Sequence, residues 1–264
     1  HLDAIAKILS HPRVFAFLHV PVQSGSNAVL ELMNREYTVE EFRRVCDFLI
    51  ARVPGLNLAT DIICGFPHES EDDFEETMQL CDHYKFPFLN ISQFYARPGT
   101  KAASMKRIKT QIVKARSRRL TAQFKGYEPF GYLVGARYVK AWVATEVSKS
   151  NDTVAHTKGY VKVLLPRDDS LRGRSVYIRI VSAAKFHVVG RLEDPDEVAR
   201  WQAAHPGVDN TVHGTLFADQ PSPSPRKGQP PSQKGNLLLR LVIASLIVFI
   251  VSYIVASRVQ EDTP

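Results

Sequence analysis

The chain has 264 residues, 44% of them hydrophobic, three cysteines and a formal net charge of +7. That composition excludes a chain without a real core and leaves room for one large domain or two smaller ones. The charge is segregated: residues 1–103 carry a net of −5, residues 104–191 a net of +14 and residues 192–264 a net of −2, which marks the middle block as the candidate partner of a polyanion.

The sequence enters at once an amphipathic helix carrying Leu2, Ile5, Ile8 and Leu9. It starts at His1 with no signal peptide before that helix, so the C-terminal part of something longer is expected. Through residue 103 strand and helix patterns then alternate. Apolar runs at 14–20, 56–64 and 88–95 predict parallel strands buried on both faces. Helices are predicted at 26–34, 38–52 and 70–84. Thr38 with Glu41 makes a capping box, and Ser70 with Asp73 resembles one, with Glu71, Asp72 and Asp73 in the first turn. Such alternation predicts βα units, either part of a (β/α) barrel or part of a doubly wound sheet. Cys46, Cys64 and Cys81 lie 18 and 17 residues apart, not at metal or redox spacing, and read as small buried hydrophobes in a reducing compartment.

Residues 104–124 predict a basic helix with a thin apolar stripe of Ile108, Ile112 and Leu120. Residues 128–193 break into short strands between Gly, Asn and Asp turns, which predicts a small antiparallel barrel. Residues 194–235, rich in proline, read as a linker. Leu241–Ala256 holds no charge, and a transmembrane helix is expected over 236–257, with a short tail at 258–264. Only eight residues follow Ala256, so insertion after translation is expected. Lys227, Lys234 and Arg240 precede it and favour a cytosolic N-terminal side.

Three stretches carry chemistry. Gln23, Ser24, Ser26 and Asn27 end the first strand, at the sheet edge where βα folds bind ligands. Asp61 sits inside an apolar strand, where a bare carboxylate is costly unless paired, and Gly65-Phe66-Pro67 turns the chain sharply after it. Arg97 follows the third strand at the same edge.

"LHVPVQSGSNAVLELMNREYTVEEF", "ATDIICGFPHESEDDFEET" and "FYARPGTKA" together resemble the signature runs of the radical-SAM methylthiotransferases of tRNA, over roughly residues 1–193. The resemblance implies the C-terminal part of a radical-SAM barrel in residues 1–103, a connecting helix in 104–127 and an RNA-gripping TRAM β-barrel in 128–193. It implies S-adenosyl-L-methionine as cofactor, with Gln23, Ser24, Arg35, Asp61, Gly65 and Glu69 around its pocket. It also implies two [4Fe–4S] clusters; the CxxxCxxC that holds the first is absent here and is expected upstream of His1, as are the ligands of the second. His68 stands where the family usually has glycine, and Lys101 where proline is common. The membrane tail resembles that of the eukaryotic branch acting on N6-threonylcarbamoyladenosine beside the anticodon, which implies an endoplasmic-reticulum anchor with a cytosolic catalytic body. The isopentenyladenosine branch shares the motifs, and a non-catalytic, membrane-tethered RNA-binding protein is the rival of a different class.

Binding of tRNA also has its own support. Lys106, Arg107, Lys109, Lys114, Arg116, Arg118 and Arg119 are expected on one helix. Lys158, Lys162, Arg137 and Arg179 follow in the barrel, interleaved with Tyr138, Trp142, Tyr160 and Tyr177. Lys106, Arg107, Arg116, Arg118, Arg119 and Lys162 are the foremost RNA-binding candidates. No sulfur donor is legible.

Overall fold

The computed structural model describes residues 1–206. The proline-rich stretch beyond that point, the predicted transmembrane helix 236–257 and the tail 258–264 lie outside the described residues. Among the described residues no helix is long and apolar enough to cross a membrane.

The first half is built of α1 (Leu2–Ser10), β1 (Phe17–His19), α2 (Asn27–Leu32), α3 (Val39–Arg52), β2 (Asn57–Cys64), α4 (Glu71–Tyr84) and β3 (Phe88–Gln93). The strands form a parallel sheet in the order β1-β2-β3, as the alternating pattern requires. Leu9, Phe42, Leu49, Phe74 and Leu80 of the helices join Leu18, Leu58 and Ile62 of the strands in one core. Both predicted capping boxes are complete, Thr38 with Glu41 and Ser70 with Asp73. The first strand is shorter than the apolar run 14–20: before it Ala16 N–H is taken by the Lys158 carbonyl, and after it Pro21 has no N–H to give the ladder. Pairing resumes at Gln23, whose N–H donates to the Asp61 carbonyl and whose carbonyl accepts from Ile63.

A short helix, α5 (Lys101–Ser104), precedes the basic helix α6 (Thr110–Lys125). The predicted start of α6 at residue 104 is corrected: Met105 and Lys109 are extended, so Lys106 and Arg107 lie on a connector. The buried stripe of α6 is also different. It is formed by Val113, Arg116, Leu120 and Phe124, while Ile112 is exposed.

The second half is a closed barrel of β4 (Val139–Val147), β5 (Thr153–Thr157), β6 (Lys162–Leu165), β7 (Ser175–Ala183) and β8 (Val188–Leu192), in the order β4-β5-β6-β8-β7. It is not purely antiparallel as expected, because β6 and β8 pair in parallel where they close it. The stretch read as linker from 194 begins with a helix, α7 (Pro195–Ala204). Asp194 caps it and proline occupies its first turn. Val198 is buried, Trp201 stacks on Tyr138 at 5.3 Å, and Glu197 pairs with Arg137, so this segment does find a surface to cover.

The turn between β5 and β6 keys the barrel into the sheet unit. Lys158, read above as an RNA-facing cation, is instead fully buried. Its ammonium donates to the carbonyls of Leu9 (3.0 Å), His11 (2.6 Å) and Val14. Ala16 N–H donates to the Lys158 carbonyl at 2.7 Å, and Asn57 Nδ2 to that of Gly159 at 2.7 Å. A Cβ on Gly159 would stand 2.8 Å from the Gly55 carbonyl, so only glycine lets the two backbones meet.

Candidate functional site

The face of the sheet away from its helices carries polar residues in an apolar frame. In β2, half-buried Asp61 and Ile63 alternate with buried Thr60, Ile62 and Cys64. The cost of a carboxylate there is met by its neighbours on both sides. His19 Nε2 lies 2.9 Å from Asp61 Oδ1, and Asn90 Nδ2 donates to the same oxygen at 2.8 Å. Each of the three strands thus contributes one member to a polar row. His19 and Asn90 were not singled out from the sequence; their strand alternation with Asp61 was the available signal.

Above this row, at the C-terminal edge of the strands, opens a cavity of about 1480 Å³. Its floor includes Gln23, Asp61 and Asn90. One wall is the end of α2 and the loop after it, with Glu31 and Arg35; the other follows β3, with Tyr95, Arg97 and Lys101. Tyr95 is 83% exposed. Phe66 lines the cavity and packs edge-to-face on Phe94 at 5.0 Å. The Arg35 loop is held by its own N–H to the Leu30 carbonyl and by Tyr37, whose hydroxyl reaches the Pro21 and Val22 carbonyls at 3.2 Å. Burial raises the Tyr37 phenol, which keeps that hydroxyl a donor.

Of the expected pocket residues, Gln23, Arg35 and Asp61 come together here, whereas Ser24, Gly65 and Glu69 do not line the cavity. Ser24 is buried against α4, its hydroxyl 3.4 Å from that of Thr77. Gly65 has φ +78°, and a Cβ there would meet the Val113 side chain of α6 at 2.5 Å, so its smallness lets the helix pack against the turn. Glu69 accepts from Gly65 N–H at 2.9 Å and from Arg116 Nη1 at 2.8 Å. Burial pushes the Glu69 carboxyl up, and the Gly65 N–H and Arg116 pull it part of the way back.

That contact corrects the place of Arg116 among RNA-binding residues. It is 5% exposed and tied to Glu69 and Glu71, so it pins α6 to the loop after β2. Arg119 is shared with Glu71 and Glu75, and Lys162 stands 3.7 Å from Glu146. Lys106, Arg107 and Arg118 are exposed and make no ion pair among the described residues. On the barrel, Arg179 and Arg191 lie directly opposite each other on β7 and β8, both exposed. Two like charges in register repel unless an anion lies between them. Arg191 was overlooked in the sequence, although it alternates with buried Gly190.

Residues 1–81 match the model of the radical SAM superfamily. A threonylcarbamoyladenosine tRNA methylthiotransferase of Drosophila pseudoobscura pseudoobscura is 54% identical over 197 residues, 74% of this chain and 35% of that protein. The protein of the same name from Homo sapiens is 47% identical over 214 residues, 81% of this chain and 37% of its own. That of Xenopus laevis is 39% identical over 256 residues, 96% of this chain and 46% of its own. Over most of its own length the chain is similar to the radical-SAM methylthiotransferases. It spans between about a third and a half of the length of these relatives.

The family implies S-adenosylmethionine and iron–sulfur chemistry. The thiols of this chain do not fit a cluster. Cys46, Cys64 and Cys81 are buried in three separate elements, and burial pushes Cys64 and Cys81 up to about 12 and raises Cys46 as well. Among the described residues no three His, Cys, Asp or Glu side chains are grouped to hold a metal ion.

Proposed function

We propose that this chain takes part in converting N6-threonylcarbamoyladenosine to its 2-methylthio derivative, next to the anticodon of tRNAs reading codons that begin with adenine. The observation that carries the reading is the likeness, 54% and 47% identical over 74% and 81% of this chain, to enzymes named for that reaction. S-adenosylmethionine with two [4Fe–4S] clusters supplies the radical chemistry. The part of this chain is to receive and orient the nucleotide. The cavity exceeds the roughly 300–1,000 Å³ of a pocket for one small ligand, which suits a purine base and a cofactor side by side.

In this reading the five-stranded barrel is a TRAM barrel, and Arg118, Lys106 and Arg107 together with the Arg179–Arg191 pair meet the tRNA backbone. Residues 236–257 tether the body to the cytosolic face of the endoplasmic reticulum membrane; their uncharged apolar run supports that assignment. The test is tRNA affinity of the chain against salt concentration. Each neutralised phosphate contributes roughly −0.7 to −0.9 to the log–log slope, so replacing Arg118, Arg179 and Arg191 by Ala should weaken binding and flatten the slope. An unchanged slope would return these residues to an ordinary solvated surface.

A further inference from the structure

The helix α7 holds to the barrel by a flat ring and a carboxylate. Its Trp201 ring lies on the Tyr138 ring at 5.3 Å and 27°, and His205 continues the stack on Trp201 at 4.7 Å and 13°. The Glu197 carboxylate accepts from Arg137 Nη2 at 2.7 Å, beside the Glu193 carboxylate, which takes Nε and the same Nη2 at 2.8 Å. Gln202 Nε2 donates to the Tyr177 hydroxyl at 2.7 Å. A ring on a tyrosine and an oxyanion on a guanidinium are also what a nucleotide supplies. Tyr138 presents its ring there at φ +57°, a costly conformation for a residue with a Cβ. These residues end a larger face. Tyr177 stands opposite Lys140 in the β4–β7 register, and two residues along β7 Arg179 stands opposite Arg191. Strand alternation puts Lys140, Tyr177 and Arg179 on the outside of the barrel, with Val139, Ile178 and Ile180 buried inside. The helix thus covers one end of the face proposed above to meet tRNA and leaves Arg179 and Arg191 exposed. The cover is light: α7 has ten residues, too few for a stable helix alone, and Val198 is its one buried side chain.

We infer that Arg137, Tyr138 and Tyr177 form a nucleotide site for single-stranded RNA, separate from the cavity, and that α7 occupies it until RNA displaces the helix. The inference rests on RNA binding by the barrel, proposed above, and deepens it. A base takes the place of Trp201 on Tyr138, and a phosphate takes that of Glu197 on Arg137. Glu193 precedes the helix and its side chain is 3% exposed, so it stays with Arg137 and keeps the guanidinium aimed. The displaced helix also carries Asp196 and Glu197 away from the incoming phosphates.

Trp201→Ala combined with Val198→Ser loosens α7 without altering the charge of the chain. Hydrogen exchange of the α7 amides reads the release, and titrations with a single-stranded oligouridylate and with an RNA duplex read the affinity. The released variant should bind the single strand about fivefold tighter than wild type or more, the gain of one stacked base. Its log–log salt slope should steepen by roughly 0.7, for one more phosphate, and the duplex, whose bases are already stacked, should bind no tighter. Adding Tyr138→Ala should cancel the gain, and adding Tyr138→Phe should keep it. A released helix with unchanged or weaker single-strand affinity overturns the inference. An equal gain on the duplex overturns it too, because charge alone then explains the effect. So does an α7 that stays protected in the variant, since the stack is then not what holds the helix. The proposed function fails by a different result, a wild-type chain that does not bind tRNA at any salt concentration.

Discussion

Replacing Arg116 by Met separates a structural arginine from an RNA-binding one. The Glu69 side chain is 1% exposed and that of Arg116 6%, and Arg116 also donates to the Glu69 carbonyl at 3.0 Å. Removing one partner of a buried pair leaves the other charge without compensation and costs about 3–5 kcal/mol. For a protein of this size each kcal/mol moves Tm by about 2–4 °C, so Arg116→Met should lower Tm by about 6–20 °C. Arg119, 46% exposed beside Glu71 and Glu75, should cost about 0–1 kcal/mol on truncation. The pH dependence has a definite sign. Burial already holds the Glu69 carboxyl above its ordinary value, and losing Arg116 removes a group that lowers it. An acid whose folded-state pKa is raised favours folding below its unfolded pKa, and that contribution is lost as pH rises through the folded value. The gap between variant and wild type should therefore widen from about pH 4 towards pH 7. Differential scanning calorimetry across that range, with tRNA affinity measured in parallel, is the assay. An unchanged Tm combined with lost tRNA affinity would refute the reasoning and return Arg116 to the RNA interface.

Lys158→Met leaves the carbonyls of Leu9, His11 and Val14 short of a donor, at about 1–3 kcal/mol for each buried unsatisfied group. Hydrogen exchange of the Ala16 amide should accelerate while the β4–β7 amides stay protected, and unaltered protection at Ala16 would show that the lysine holds nothing together. His68 adopts φ +68° in the position where a glycine carries no strain, so His68→Gly should raise the unfolding free energy by about 1 kcal/mol or less, read as a higher urea midpoint, and a lowered midpoint would count against it. With thiols buried and pushed up, Cys46, Cys64 and Cys81 should resist native-state alkylation at neutral pH. Anaerobic incubation of the chain with iron and sulfide should give no [4Fe–4S] absorbance, whereas a stoichiometric cluster would break the argument from the thiols.

Much of the architecture was legible because it rests on local rules. Short apolar runs located the three parallel strands, and the capping boxes at Thr38 and Ser70 located two helix starts. The misreadings share a physical cause: each depends on a partner distant in sequence. Arg116 reads as one more cation in a basic run until Val113, Leu120 and Phe124 are seen on the same helical face. Lys158 reads as a surface residue until the loop after α1 closes over it. Residues 195–204 lack the apolar content for a core of their own, yet Trp201 and Val198 settle on the barrel, and Asp194-Pro195 was the overlooked start signal. At the cavity, Gln23 was foreseeable at a strand end, Asp61 as a carboxylate inside an apolar strand, and Arg35 from the family resemblance alone. His19 and Asn90 were not, because only strand register sets them beside Asp61.

The central claim, that the cavity at the strand ends receives the adenine beside the anticodon, is open to direct capture. Tyr95 is exposed on the cavity wall, so a photoreactive benzoylphenylalanine in its place tolerates the fold and reports what enters. Irradiation with threonylcarbamoylated tRNA should yield a crosslink that maps to the anticodon loop at or next to the modified adenine. A crosslink confined to the acceptor arm, or none at RNA concentrations that saturate binding, would contradict it.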